Sequence, residues 1–274
     1  LLIGSEGTLG IITAVRLALQ PAPQQAATAM IAVSSPQDAV ALLSFMQAET
    51  GGALTGFEFM PKVGLIFLRN HRAALPQPFP ITPDWVVLAE AQGGKGDGLR
   101  DQFEAALSAA IEHGLAEDVV IAQSAGQAQS FWDLRESLPA VQKQEGGSIK
   151  HDISVPVSKV PAFLQEAEAL VTDLCPGIRI VAFGHLGDGN IHYNLTQPKD
   201  ADKDAYLARW DEIQQAIHAL VIKYGGSISA EHGIGQMKVD HLAAVKDPVA
   251  LAAMRAIKQA LDPRNILNPG RVLK

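Results

Sequence analysis

Apolar and polar positions change period repeatedly along the chain. Strand-like runs at 29–33, 54–59, 85–91, 119–123, 148–155, 179–183 and 191–195 are separated by segments of helical periodicity at about 61–72, 98–113, 128–144, 158–173 and 203–224. Ser35-Pro36 adds a helix opening, an N-cap followed by proline in the first turn, and that helix runs to about Glu49, where Gly51-Gly52 stops it. Ahead of these, residues 1–20 read as a glycine-rich turn followed by a strand over 9–19, and Pro21 and Pro23 mark a boundary. The strand runs keep one polar face. The pattern therefore predicts an α+β fold, a ferredoxin-like antiparallel sheet with helices on one face. A duplicated ferredoxin-like unit is compatible with the element order, although no repeat is visible in the residues themselves. The tail from Asp262 to Gly270 reads as a helix end, a turn and a short extended segment.

Composition narrows the function classes. The 274 residues are 47% hydrophobic and 19% charged, enough apolar material for a real core. A net charge of −7 argues against a nucleic-acid groove and leaves room for a small anionic substrate held by local cations. One cysteine, Cys175, excludes an internal disulfide framework and a cysteine-based zinc ribbon, and fits a cytoplasmic setting. No apolar run reaches the length of a membrane span. The opening Leu1-Leu2-Ile3-Gly4 reads like the interior of a domain. The expectation is a piece of a longer protein, any targeting signal of which would lie outside these residues. Apolar surface shared with the rest of that protein would favour self-association, with a homodimer as one outcome.

The segment Gly184-His185-Leu186-Gly187-Asp188-Gly189-Asn190-Ile191-His192-Tyr193-Asn194 carries the most chemistry. With Asp188-Gly189 as a two-residue hairpin turn, His185 faces His192 and both imidazoles leave the same face, as two ligands of one metal would. A third ligand is available from Ser229-Ala230-Glu231-His232-Gly233-Ile234-Gly235, where Glu231 completes a His, His, Glu set suited to zinc or manganese and His232 points elsewhere. The same residues also serve as ordinary histidines beside a turn and as an acid at a helix N-terminus, and both readings stay open.

Arg135, near the start of a helix, offers a planar fork that matches a carboxylate, and Lys150, on a strand face with Asp152 and Ser154, offers a point charge. Either is equally well a solvated surface cation. The opening Gly4-Ser5-Glu6-Gly7-Thr8-Leu9-Gly10-Ile11-Ile12 lacks the spacing of the dinucleotide fingerprint; its glycines permit close backbone approach to a phosphate or flavin, or form a plain turn.

Taken together, Gly4 to Gly10, Trp132 with Arg135 and Glu136, Lys150 with Asp152, Gly184 to Asn194, Ser229 to Gly235 and Asp262 to Gly270 resemble the FAD-linked oxidases of the vanillyl-alcohol oxidase superfamily. The similar branch is that of D-2-hydroxyglutarate dehydrogenase, D-lactate dehydrogenase and the flavin subunit of glycolate oxidase. The resemblance implies the end of an FAD-binding domain over 1–20, a substrate-binding cap over 21–260, and a segment over 261–274 that returns to the flavin. It implies FAD contacts at Gly4, Glu6, Gly7, Gly10, Ile12 and Asn268. It implies a divalent metal, zinc or manganese, on His185, His192 and Glu231. Arg135, Lys150, Asn194 and His232 then bind substrate, with His232 as general base. The implied reaction is oxidation of a D-2-hydroxy acid to the 2-oxo acid, with electrons passed on to an electron-transfer flavoprotein, a quinone or another acceptor. Pro139 departs from the pattern, standing where the hydroxyglutarate branch carries a hydroxyl-bearing contact. Two alternatives accompany this reading: a metal-dependent hydrolase using the same His, His, Glu set without flavin, and a non-catalytic subunit or fragment of a glycolate-oxidase-like complex.

Overall fold

The elements expected from periodicity form in that order in a computed structural model, which describes residues 1–96 and 98–274. The first half of the sheet is built from β1 (Gln25–Val33), α1 (Pro36–Glu49), β2 (Leu54–Pro61), α2 (Lys62–His71), β3 (Trp85–Gly93), α3 (Leu99–Glu112) and β4 (Asp118–Ile121). α1 starts where its cap dictates: Ser35 Oγ accepts from the Asp38 N–H at 3.1 Å, and Ala39, Leu42, Leu43 and Met46 line the buried stripe. The second half follows as α4 (Ala125–Gln142), β5 (Ser148–Ile149), β6 (Asp152–Ser154), α5 (Val160–Leu174), β7 (Arg179–His185), β8 (Asn190–Thr196), α6 (Lys203–Leu207) and α7 (Trp210–Lys223). Helices α8 (Val239–Val245) and α9 (Pro248–Leu261) close the chain.

The eight strands form one sheet in the order β4-β1-β3-β2-β7-β8-β5, with β6 also on β8, and every pairing is antiparallel. The order β4-β1-β3-β2 is ferredoxin-like. The second half repeats it: a short segment at Ser227 bridges Ser154 beside β6, β6 pairs with β8, and β8 pairs with β7. The duplication hidden in the residues is thus present in the topology. The halves meet at β2 and β7, through the pairs Glu58↔His185 and Phe59↔Gly184.

Helices cover both faces of this sheet rather than one. Ala29, Ile31, Val87 and Ala89 pack under α1 and α3, in a core continuous with that under α5 and α7; Met30, Ala32, Val86 and Leu88 belong to the core under α2 and α4. The reason lies in β1 and β3, whose continuous apolar runs bury side chains in both directions and need cover on each side.

Other expectations shift locally. Residues 9–19 form no strand; Ile11, Ile12, Val15, Leu17 and Leu19 are exposed, and the segment has no ladder partner among the described residues. The run 148–155 is interrupted at Lys150-His151, where the buried His151 Nδ1–H donates to the Tyr193 carbonyl at 2.8 Å. The helical pattern over 203–224 divides into α6 and α7 at Ala208-Arg209. Among the described residues, no helix is long and apolar enough to cross a membrane.

Candidate active site

Beyond α4 the second face of the sheet turns polar. Strand alternation places Glu58, His185, His192, Asn194 and Asp152 on that face, while Phe57, Phe59, Ile191, Tyr193 and Ile153 point into the opposite core. The site sits where the two ferredoxin-like halves join.

The hairpin that carries the histidines is not the two-residue turn expected. Phe183, not His185, is paired with His192, and residues Leu186–Asp188 form a single 3-10 turn before β8. The Gly189 N–H closes that turn onto the Leu186 carbonyl at 3.3 Å. Gly189 has φ +76° and lies against β6; a Cβ there would stand 2.0 Å from the Val155 carbonyl oxygen, so no side chain fits. The imidazoles nevertheless converge, with ring centroids of His185 and His192 6.0 Å apart.

Glu231 reaches between them. Its Oε1 is 3.2 Å from His185 Nε2 and its Oε2 is 3.8 Å from His192 Nε2. The donor set that converges among the described residues takes one atom each from Asp152, His192, Glu231 and His232, all within 4.8 Å of one another; it shares His192 and Glu231 with the expected triad and leaves out His185. Two imidazoles and a carboxylate are the donor types that borderline divalent ions such as zinc accept.

Asp152, which the strand pattern showed only as a neighbour of Lys150, organises the loop that carries Glu231 and His232. Its buried Oδ2 accepts the N–H groups of Ala230 at 3.1 Å, Glu231 at 2.9 Å and His232 at 2.8 Å. Burial pushes the Asp152 carboxyl pKa up, but these backbone bonds outweigh it and hold it below the usual value. Asp152 Oδ1 is buried with no hydrogen-bond partner, 3.9 Å from His192 Nδ1. His232 is exposed and stacks on His192 at 5.8 Å between centroids.

A cavity of about 560 Å³ opens beside this cluster, lined by Arg135, Pro139, Lys150, Asp152, Phe183, His192, Asn194 and His232 among others. Arg135 is only 9% exposed, which removes the surface-cation reading. Its Nε donates to Glu58 Oε2 at 2.7 Å and its guanidinium lies 4.9 Å from the centre of the Phe183 ring. Glu58 is the second residue that sequence reasoning missed; an acid flanked by Phe57 and Phe59 in a strand was the available signal. Its other oxygen accepts the His185 Nδ1–H. That bond raises the His185 pKa against the opposing effect of burial, whereas burial, then the Arg135 charge, lowers that of His192. Burial, then the nearby Lys143, lowers the pKa of Lys150. Asn194 is buried and donates to Gln142 Oε1 at 2.9 Å.

The glycine-rich opening packs on the same loop from outside. Glu6 accepts the N–H groups of Ile234 at 2.6 Å and Gly235 at 2.8 Å, and its carbonyl accepts from Asn268 Nδ2 at 2.6 Å. Gly7, Gly10, Ile12 and Asn268 line a separate cavity of about 440 Å³ with Leu2, Ile11 and Ile266. Gly4 does not line it, and the Glu6 carboxylate is turned to the loop instead.

Comparison with known proteins adds identity to this geometry. Residues 22–272 match the family described as FAD linked oxidases, C-terminal domain. A mitochondrial D-2-hydroxyglutarate dehydrogenase of Arabidopsis thaliana is 35% identical over 273 residues, covering 100% of this chain and 47% of the relative. A D-2-hydroxyglutarate dehydrogenase of Stutzerimonas stutzeri (strain A1501) is 35% identical, covering 99% of this chain and 58% of the relative. The chain thus spans about half the length of the curated relatives it matches. Among solved structures, an alkyldihydroxyacetonephosphate synthase superposes with a TM-score of 0.62 at 16% identity, over 97% of this chain and 48% of that one. A p-cresol methylhydroxylase superposes with a TM-score of 0.64 at 17% identity, over 92% and 53%. These two likenesses concern the fold alone.

Proposed function

Since the chain belongs to the FAD linked oxidases, C-terminal domain family, we propose that it forms the substrate-binding part of an FAD-dependent dehydrogenase acting on a D-2-hydroxy acid. The observation that carries this reading is one cavity bordered by a buried Arg135 fork on one side and by His192 and His232 on the other. A hydroxy acid needs that pairing: a bidentate cation for its carboxylate and a base near its hydroxyl. Lysines and arginines outnumber acids in the lining, with Arg135, Lys150, Lys238 and Arg271 against Asp152. That balance favours a dicarboxylate such as D-2-hydroxyglutarate, the substrate named for the relatives, over lactate.

In this reading Arg135 and Lys150 dock carboxylate, Asn194 supports the same wall, and His232 takes the proton of the 2-hydroxyl. FAD, when bound, accepts the hydride from C2. Gly7, Gly10, Ile12 and Asn268 are proposed as one wall of its site, since their cavity presents backbone and apolar surface suited to a flavin edge. Residues 1–20 and 261–274 belong with that wall and 21–260 with the cap. Gly4 and Glu6 are assigned there through the turn they build. His185, His192 and Glu231 are the proposed holders of a zinc or manganese ion, whose positive charge would polarise the hydroxyl. The unpartnered Asp152 Oδ1 beside His192 is consistent with a cation at this place. The electron acceptor is proposed only by class: an electron-transfer flavoprotein, a quinone or another acceptor.

The test is turnover of the intact flavin-loaded protein with D-2-hydroxyglutarate, D-lactate and glycolate, alongside elemental analysis of wild type and His192→Ala. Preferential oxidation of D-2-hydroxyglutarate and one equivalent of metal lost in the variant are expected. Oxidation of none of the three acids would overturn the reading, and activity independent of flavin would favour a hydrolase.

A further inference from the structure

We propose that Glu58 is a positioning residue: one buried carboxylate, outside the cavity lining, aims Arg135 and sets the orientation and tautomer of His185. The proposal rests on the reading above, in which Arg135 holds carboxylate and His185 is a metal ligand.

Glu58 is 4% exposed, a setting in which an unpaired carboxylate would be costly. Both oxygens are used, one on Arg135 Nε at 2.7 Å and one on His185 Nδ1. Backbone pairing makes the second bond a property of the fold, because Glu58 and His185 are directly opposed across the β2–β7 seam. A carboxylate accepts and cannot donate, so Nδ1 of His185 must carry the proton. The neutral ring then presents a bare Nε2, the atom 3.2 Å from Glu231 Oε1 and the one a metal would need. On the other side, Glu58 occupies the Nε edge of Arg135 while Phe183 supports its face, leaving the two terminal nitrogens as the fork for substrate. A group on α4 and a group on β7 are thereby held in fixed relation by a residue of β2 that touches neither substrate nor metal.

Glu58→Gln separates this role from simple packing. The amide keeps the shape, and its oxygen must still face Arg135, which only donates. Its NH₂ then points at His185 Nδ1, which has to accept, and the ring proton moves to Nε2. In the intact flavin-loaded protein, zinc affinity measured by competition with a chromophoric chelator should fall roughly 10–100-fold in this variant. The thermal midpoint should fall as well, because the buried Arg135 loses its counter-charge, so zinc affinity rather than stability is the readout. In a His185→Ala background the same substitution should cause no further loss of zinc affinity, because its target is gone. Glu58→Asp keeps the charge but is one methylene short of spanning both partners, so zinc affinity should fall several-fold and the KM for D-2-hydroxyglutarate should rise. Wild-type zinc affinity and KM in Glu58→Gln would overturn the proposal; if that variant does not fold, the same result in Glu58→Asp would do so. A wild-type protein that takes up no zinc overturns the metal reading instead, and the His185 half of the proposal with it, leaving the Arg135 half to be decided by KM.

Discussion

The backbone N–H of His232 donates to Oδ2 of Asp152 at 2.8 Å, across 80 residues of sequence. With the Glu231 and Ala230 amides on the same oxygen, Asp152 shapes the loop that presents both side chains. Asp152→Ala leaves these three donors without their acceptor. Stability should fall by about 2–4 kcal/mol, discounted from the cost of fully buried donors because the loop is part-exposed. The urea midpoint measures this, and a midpoint within experimental error of wild type would remove Asp152 from the role.

Arg135→Lys keeps the charge and loses the fork. A lysine cannot satisfy Glu58 and still offer two parallel donors to a carboxylate. The KM for the hydroxy acid should rise by about 10-fold or more, in keeping with the loss of a charge-assisted hydrogen bond. Steady-state kinetics on the flavin-loaded protein gives the value. An unchanged KM would place substrate carboxylate elsewhere, with Lys150 as the next candidate.

Gly233 has φ +76°, and a Cβ there would fall 2.5 Å from Glu6 Oε1. Gly233→Ala should therefore push the Glu6 carboxylate off the amides of Ile234 and Gly235, costing about 1–3 kcal/mol. Limited proteolysis should cut residues 1–20 faster in the variant than in wild type, while the sheet core stays protected.

Two histidines make stability depend on pH. His151 is fully buried and its pKa is lowered to about 4, chiefly by burial; that of His218 is lowered to about 3 by burial and its histidine neighbours. The unfolded chain binds protons near pH 6.5, the native chain only well below. The stabilisation is thus fully present above pH 6.5 and lost as pH falls toward 4. Between pH 7 and pH 5, His151 alone should lower the unfolding free energy by roughly 2 kcal/mol. Chemical denaturation at the two pH values, in wild type and His151→Gln, isolates this contribution; an equal loss in the variant would assign the pH dependence to other groups.

What the sequence made legible follows physical range. α1 was readable to the residue because its cap, its proline and its 39, 42, 43, 46 stripe are all local. The hairpin register was not, since the turn packs on a distant segment: the Val155 N–H donates to the Gly189 carbonyl at 3.1 Å, and a Cβ on Gly189 would meet the Val155 carbonyl. Helices on the second face were foreshadowed by the unbroken run Val86, Val87, Leu88, Ala89, which has no polar side to give to solvent. The site divides the same way. His185, His192, Glu231 and His232 announced themselves by residue type within short glycine-rich segments. Glu58 did not, because its partners lie 77 and 127 residues away and only the closed sheet brings them together. The strand expected over 9–19 had the alternation of a strand but lacks a partner edge among the described residues, and alternation alone does not make one.

The clasp between Glu6 and the loop at Ile234 and Gly235 spans 228 and 229 residues. During synthesis the Glu6 turn leaves the ribosome long before the loop whose N–H groups it accepts exists, and the first ferredoxin-like half can fold in the interval. The loop bearing Glu231 and His232 can therefore dock on Glu6 only as one of the last events of maturation. A chain cut before Ile234 would keep the Asp152 bonds to Ala230, Glu231 and His232 but would lose the hold of Glu6 on the far end of the loop.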